Sequence, residues 1–240
     1  MQTLTDRQKE GNYPALSSPF QNEELKNWFE RFIGLPFRVR HKLKSREKHR
    51  VRTKTLKTVK KTLQGAAKLK AGNTRIVFNV GLCVLLLDQD LALFTDDLVY
   101  AIGDRNRAFL AKHEAVLLYE AAEDLPQLLG KEFRDAVNVL GATPEQLQRV
   151  NEASSDLNQF WRKEREFLGR IRNVLAAHRD HDTLRYVESL ENLKPMEVMA
   201  GAAELSPLLD RLIRVLSEIA QLTVGSEALL QDIIKSAKKS

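Results

Sequence analysis

Between Gly169 and Asp182 the chain reads G-R-I-R-N-V-L-A-A-H-R-D-H-D, in which Arg172 is followed by Asn173 and, after four more residues, by His178. These residue types suit proton transfer next to a developing negative charge. An imidazole with an ordinary pKa near 6.5 can take or give a proton at neutral pH. A guanidinium offers paired donors to an oxyanion, and the Asn173 amide can orient either partner. The same stretch could be read as a metal site made of His178, Asp180, His181 and Asp182. A zinc site needs three or four ligands, however, and no further His or Cys lies nearby in sequence, so neither metal nor cofactor is expected. The bare spacing is permissive. It recurs from Arg107 to His113 in R-A-F-L-A-K-H, where alanine follows the arginine and the surroundings are strongly helical, so the second copy is read as coincidental. No Ser/His/Asp or Cys/His arrangement stands out.

The R-N-x4-H of Arg172, Asn173 and His178, with small Ala176 and Ala177 before the histidine and charged residues after it, resembles the motif of the HEPN superfamily. These are the helical "higher eukaryotes and prokaryotes nucleotide-binding" domains. The resemblance implies a metal-independent endoribonuclease of the kind found in toxin–antitoxin and phage-defence systems. It also implies RNA as substrate, a homodimer as the active form and an antitoxin protein as a further partner. By the same resemblance the RNA 2′-OH is the nucleophile. His178 takes its proton or gives one to the leaving 5′-oxygen, Arg172 stabilises the phosphorane, and Asn173 orients the histidine or a phosphate oxygen. The products are a 2′,3′-cyclic phosphate and a 5′-OH. Asp180, His181 and Asp182 are supporting candidates only. The resemblance extends at most over Asn73 to Ser240. On one regular helix Arg172 and His178 would lie about 120° apart, so a working site needs either a helix break near Ala177 or completion by a second protomer, the option that the family's dimeric site implies. The competing class is a non-catalytic helical protein that binds RNA or a protein partner.

The elements that must position these residues read as helix after helix. Leu, Ala, Glu, Lys, Arg and Gln are abundant, with only 7 Pro and 11 Gly in 240 residues, a balance that favours helix. Spacing predicts an amphipathic helix over Glu23–Ile33, stopped by Gly34 and Pro36, and a cationic one over about Glu47–Lys70. A central apolar helix is expected over Arg75–Phe94, and Asn73 or Thr74 is expected to cap it. Thr95-Asp96-Asp97 is expected to cap a long helix to Leu125, and Pro126 to open another that ends at Gly141-Ala142. Thr143-Pro144-Glu145 starts a helix to about Ala177. Helices over Thr183–Leu193 and Pro195–Leu222 and a last one from Ser226 complete the series. The expected architecture is all-α: a HEPN-like helical bundle over 73–240 with a basic helical extension over 1–72.

That extension carries the charge. From Arg38 to Arg75 there are 15 Lys/Arg and a single acidic residue, so this segment holds +14 and the remainder −8 of the chain's +6. Arg38, Arg40, Lys42, Lys44, Arg46, Lys48, Arg50, Arg52, Lys54, Lys57, Lys60 and Lys61 are the candidate nucleic-acid contacts, since each phosphate neutralised releases counterions. The alternatives are an anionic membrane surface and the protein's own acidic surface. Trp161, Phe160 and Phe167 are expected in the core, and Tyr119-Glu120 with Glu123-Asp124 on a solvated acidic face. Cys83, the sole cysteine, is expected as a small buried hydrophobe, consistent with a reducing compartment. Residues 1–20 lack the apolar run of a signal peptide. The apolar run Ile76–Leu87 is shorter than a bilayer needs. A cytoplasmic protein without a membrane span is expected.

Overall fold

Apolar residues recur at alternating steps of three and four along most of this sequence, which lines them up on one side of a helix. The computed structural model describes residues 34–173, 183–224 and 232–233. Among these it shows helices and no strand: α1 (Gly34–Lys68), α2 (Gly72–Tyr100), α3 (Asp104–Leu128), α4 (Lys131–Val139), α5 (Pro144–Ile171), α6 (Thr183–Glu191) and α7 (Pro195–Val224). The expected helices over Glu23–Ile33 and from Ser226 lie outside the described residues, apart from positions 232 and 233. The chain divides into two compact units, Met1–Arg40 and His41–Ser240, and the helical bundle belongs to the second.

The architecture is an all-α bundle. α2, α3, α5 and α7 form a four-helix ring, and α3 and α7 also pack on each other across it. On α7 the buried seam is Val198, Ala202, Leu205, Leu209, Leu212, Leu216 and Ile219. On α3 it is Ala108, Ala111, Ala115, Leu118, Ala122 and Leu125. The α3 seam is mostly alanine, which lets its neighbours approach closely. α5 contributes Val150, Ala153, Leu157, Phe160, Leu168 and Ile171, and the short α4 adds Phe133 and Val137. Burying each Leu or Phe contributes about 1.5–3 kcal/mol. As expected, Phe160 is in the core, and Trp161 and Phe167 pack against it.

Three ion pairs join α5 to α7 beside this core: Arg149 with Glu218, Asp156 with Arg211 and Lys163 with Glu204. They stand seven residues apart on each helix, and one helix is read in the reverse direction of the other. α5 and α7 are therefore antiparallel, with coiled-coil-like spacing.

Several helix ends differ from the expectation. α1 starts at Gly34, well before Glu47. Gly34 and Pro36, expected as a stop, sit in its first turn, where a missing N–H breaks no helical bond. α1 ends in a Schellman turn: Lys70, at φ 54, gives its N–H to the Ala67 carbonyl (3.2 Å), and Ala71 gives its N–H to Ala66 (2.9 Å). Thr95-Asp96-Asp97 opens no helix, because α2 continues to Tyr100 and buries Leu98. The chain turns instead at Ala101–Gly103, where Gly103 has φ 85. Pro126 lies near the end of α3. The buried Leu125 and Leu129 carry the core past it, and the break falls at Gly130.

Other ends are as read. Thr143 caps α5 with a full capping box: its hydroxyl accepts from the Gln146 N–H (3.2 Å), while the Thr143 N–H donates to the Gln146 side chain (2.9 Å). The start of α2 is capped from far away. Asp232, 1% exposed, accepts from the backbone N–H groups of Asn73 (3.2 Å) and Thr74 (2.8 Å) and from both of their side chains (2.7 Å each). Asn73 and Thr74, expected as the caps themselves, are here the donors.

α2 is also the one helix, among the described residues, long and apolar enough by length and composition to cross a membrane. In the bundle 44% of its apolar window is buried, and within the helix Asp88 is only 5% exposed.

Candidate nucleic-acid interface and the Arg172 site

From Arg38 to Lys54 every second residue of α1 is basic. On a helix that spacing turns about 200° per step and spreads cations over all sides. One side must then meet the bundle. Ser45, His49, Arg52, Leu56, Val59, Leu63 and Ala66 recur at steps of four and three, and none of them is exposed. The lower part of this row is apolar, with Ala66 4% exposed. The upper part is polar and is met by carboxylates of α2. Arg52 forms a two-pronged pair with Asp88, Nε to Oδ2 at 2.5 Å and the second nitrogen to Oδ1 at 2.9 Å. His49 Nε2 lies 3.0 Å from Asp96, whose same oxygen accepts from the Ser45 hydroxyl. Arg52 is thus paired with a buried carboxylate of α2.

The outer sides remain cationic. Arg46, Lys48, Arg50, Lys54, Lys57, Lys60 and Lys61 are all exposed. Lys54, Lys57, Lys61 and Lys68, at steps of three, four and seven, share one face. Arg38, Arg40, Lys42 and Lys44 stand on α1, but their side chains lie outside the described residues.

The motif residues sit at the far end of α5. Regular α-helix stops at Ile171, and Arg172 and Asn173 continue it in a wider π turn, both exposed. Arg172 itself keeps helical dihedrals, with its N–H bonded to the Leu168 and Gly169 carbonyls. His178 lies outside the described residues, as do Asp180, His181 and Asp182. Arg172 lies over an aromatic ring: its guanidinium carbon stands 4.8 Å from the centre of the Tyr119 ring. Tyr119 in turn meets Trp161 edge-on at 4.8 Å. A Cβ added at Gly169 would just touch the Tyr119 ring, 3.4 Å from its Cε2. No carboxylate among the described residues pairs with Arg172. Stacking on a ring leaves the edges of a guanidinium open to an oxyanion. Tyr119, expected on a solvated face, is instead the support of Arg172. The contact links α3 to α5, too far apart in sequence for spacing to reveal.

The second copy of the spacing has other duties. Arg107 Nε donates to the Ala101 carbonyl (3.2 Å), and the His113 ring contacts Phe109 edge-on at 4.6 Å and lies parallel to Phe94 at 6.4 Å. Within the same stretch sits a residue that sequence reading passed over. Lys112 is 1% exposed, and its Nζ lies 3.3 Å from the Tyr186 hydroxyl and over the rings of Phe109 and Tyr186. Tyr186 also lines a cavity of about 970 Å³ whose walls are mostly aliphatic, among them Leu98, Leu190, Pro195 and Met199.

Cys83 is half-buried. Burial, and secondarily the Asp124 charge, push its thiol up, which disfavours the thiolate that reactivity requires. Among the described residues no three His, Cys, Asp or Glu side chains gather as a metal site. No protein-family model, no curated protein and no solved structure matches this chain.

Proposed function

We infer that this chain binds RNA along the outer face of α1 and cleaves it without a metal, as an endoribonuclease of HEPN type acting from Arg172, Asn173 and His178. The observation that carries this reading is the placement of Arg172: exposed, held over Tyr119, and unpaired with any carboxylate among the described residues. A guanidinium so held is ready to bind a phosphate with two parallel hydrogen bonds. The exposed cations of α1 support the substrate class, because a dense row of Lys and Arg attracts a polyphosphate backbone. A homodimer and an antitoxin partner belong to the same proposal and rest on the motif, while a cytoplasmic location rests on the sole cysteine.

The test is cleavage of single-stranded RNA in excess EDTA. Wild type is expected to cut and leave 2′,3′-cyclic phosphate ends, with His178→Ala and Arg172→Ala each lowering kcat at least about 100-fold. His113→Ala is expected to cut normally. Loss of cutting in EDTA with rescue by a divalent metal, or dependence on His113 in place of His178, would overturn the mechanism. A wild type that binds RNA and never cuts would leave the non-catalytic RNA-binding reading standing.

A further inference from the structure

One face of α5 carries Asn151, Ser154, Ser155, Asn158, Gln159 and Arg162, and with Arg134 of α4 these side chains line an open groove of about 640 Å³. Its chemistry is one-sided. Two guanidiniums and five neutral hydrogen-bonding side chains line it, with no carboxylate, although the chain outside Arg38–Arg75 is net acidic. Arg134 is anchored in place, because its Nε donates to the Leu129 carbonyl at the end of α3 (3.1 Å). That bond leaves the terminal nitrogens of the guanidinium to other partners. The Asn158 amide donates to the Ser154 carbonyl (2.8 Å), which leaves its own carbonyl oxygen as an acceptor. From Asn151 to Arg162 the lining row runs about 16 Å along the helix, longer than one phosphate group requires.

We propose that this groove is a second RNA contact, in which Arg134 and Arg162 take backbone phosphates and Asn151, Asn158 and Gln159 hydrogen-bond to sugar or base edges. The inference rests on the RNA-binding reading and adds to it a strand path on α4 and α5, apart from α1. Arginine suits the phosphates because its planar fork makes two bonds at once. Amide side chains carry both a donor and an acceptor, which base edges also present.

The test uses the full chain carrying His178→Ala, so that RNA stays intact, with a fluorescein-labelled single-stranded RNA titrated at several salt concentrations. In that background, Arg134→Ala/Arg162→Ala is expected to weaken binding about tenfold or more. It should also reduce the magnitude of the log Kd against log salt slope by about 1.4, at about 0.7 per single-strand phosphate. Asn158→Ala/Gln159→Ala should weaken binding and leave the slope unchanged, since no charge is removed. Lys54→Ala/Lys57→Ala/Lys61→Ala serves as the α1 comparison, and circular dichroism melts check that each variant is folded. If the arginine pair binds like the background while the lysine variant does not, the groove is overturned and the α1 reading stands. If the background itself binds no RNA, the groove falls together with that reading.

Discussion

Arg52 on α1 and Asp88 on α2 meet side by side, with both guanidinium–carboxylate contacts between 2.5 and 2.9 Å. The Asp88 side chain is 6% exposed and that of Arg52 21%. A carboxylate so enclosed depends on its partner, because a buried charge left alone keeps its desolvation cost and loses the attraction that offset it. Arg52→Ala is therefore expected to destabilise the fold by about 2–4 kcal/mol, towards the low end for a buried pair since Arg52 is partly solvated. Arg52→Ala/Asp88→Ala should be less destabilised than the sum of the two single variants. Urea unfolding at neutral pH measures this, and a loss below about 0.5 kcal/mol for Arg52→Ala would show that Asp88 does not need the pair.

Asp232 closes the start of α2. Burial pushes its carboxyl up, but the bonds from Thr74 and Asn73 outweigh it and hold the group below the ordinary carboxylate range. A group depressed in the folded state adds stability above its unfolded pKa of about 3.9 and loses it as pH falls through the folded value. Asp232→Asn is expected to cost about 1–2 kcal/mol at pH 7, the size of a cap at a helix start. The gap to wild type should close in acid, below both values. A gap that stays constant down to about pH 2 would contradict the assignment.

Glu114 is the opposite case. It is fully buried, with Oε1 2.7 Å from the Thr95 hydroxyl and Oε2 without a hydrogen-bond partner. Burial pushes its carboxyl up against a smaller downward pull from Thr95. Thr95 has one proton to share between Glu114 Oε1 and the Leu91 carbonyl 2.8 Å away, so its bond offsets only part of the cost of burying the charge. With the folded pKa raised, the folded state holds the extra proton, and stability falls as pH rises from about 4.3 through the folded value. Glu114→Gln removes that fall. It is expected to match wild type near pH 4 and to exceed it at pH 7 in chemical denaturation. A variant less stable than wild type at both values would sink the idea.

The bundle was legible because its seams are regular. Leu205, Leu209, Leu212 and Leu216 on α7 announce themselves at steps of three and four, and Thr143-Pro144 marks the start of α5. Local signals misled where the core overrode them. Thr95-Asp96-Asp97 looks like a cap and Pro126 like a start, yet burying Leu98 and Leu129 holds each helix in place a few residues longer. The Arg172 site was half legible. Its residue types stand out, whereas Tyr119 beneath it and the stop at Ile171 depend on packing between α3 and α5. The partners of Asn73, Thr74 and Arg52 were hidden for the same reason, since spacing along one helix says nothing about which distant carboxylate will face it.

The three ion pairs between α5 and α7 have an effect that their strength does not suggest. Exposed pairs contribute at most about 1 kcal/mol each. The apolar seam of α7 repeats every seven residues, so a displacement of α5 by one repeat again sets apolar positions against apolar positions. Along α5 the signs run plus, minus, plus at Arg149, Asp156 and Lys163, and along α7 they run minus, plus, minus at Glu218, Arg211 and Glu204. A slip of seven residues one way sets Arg149 against Arg211 and Asp156 against Glu204. The other way sets Asp156 against Glu218 and Lys163 against Arg211. Every single-repeat slip thus trades attraction for repulsion, so the charges count against each neighbouring alignment and for the native one.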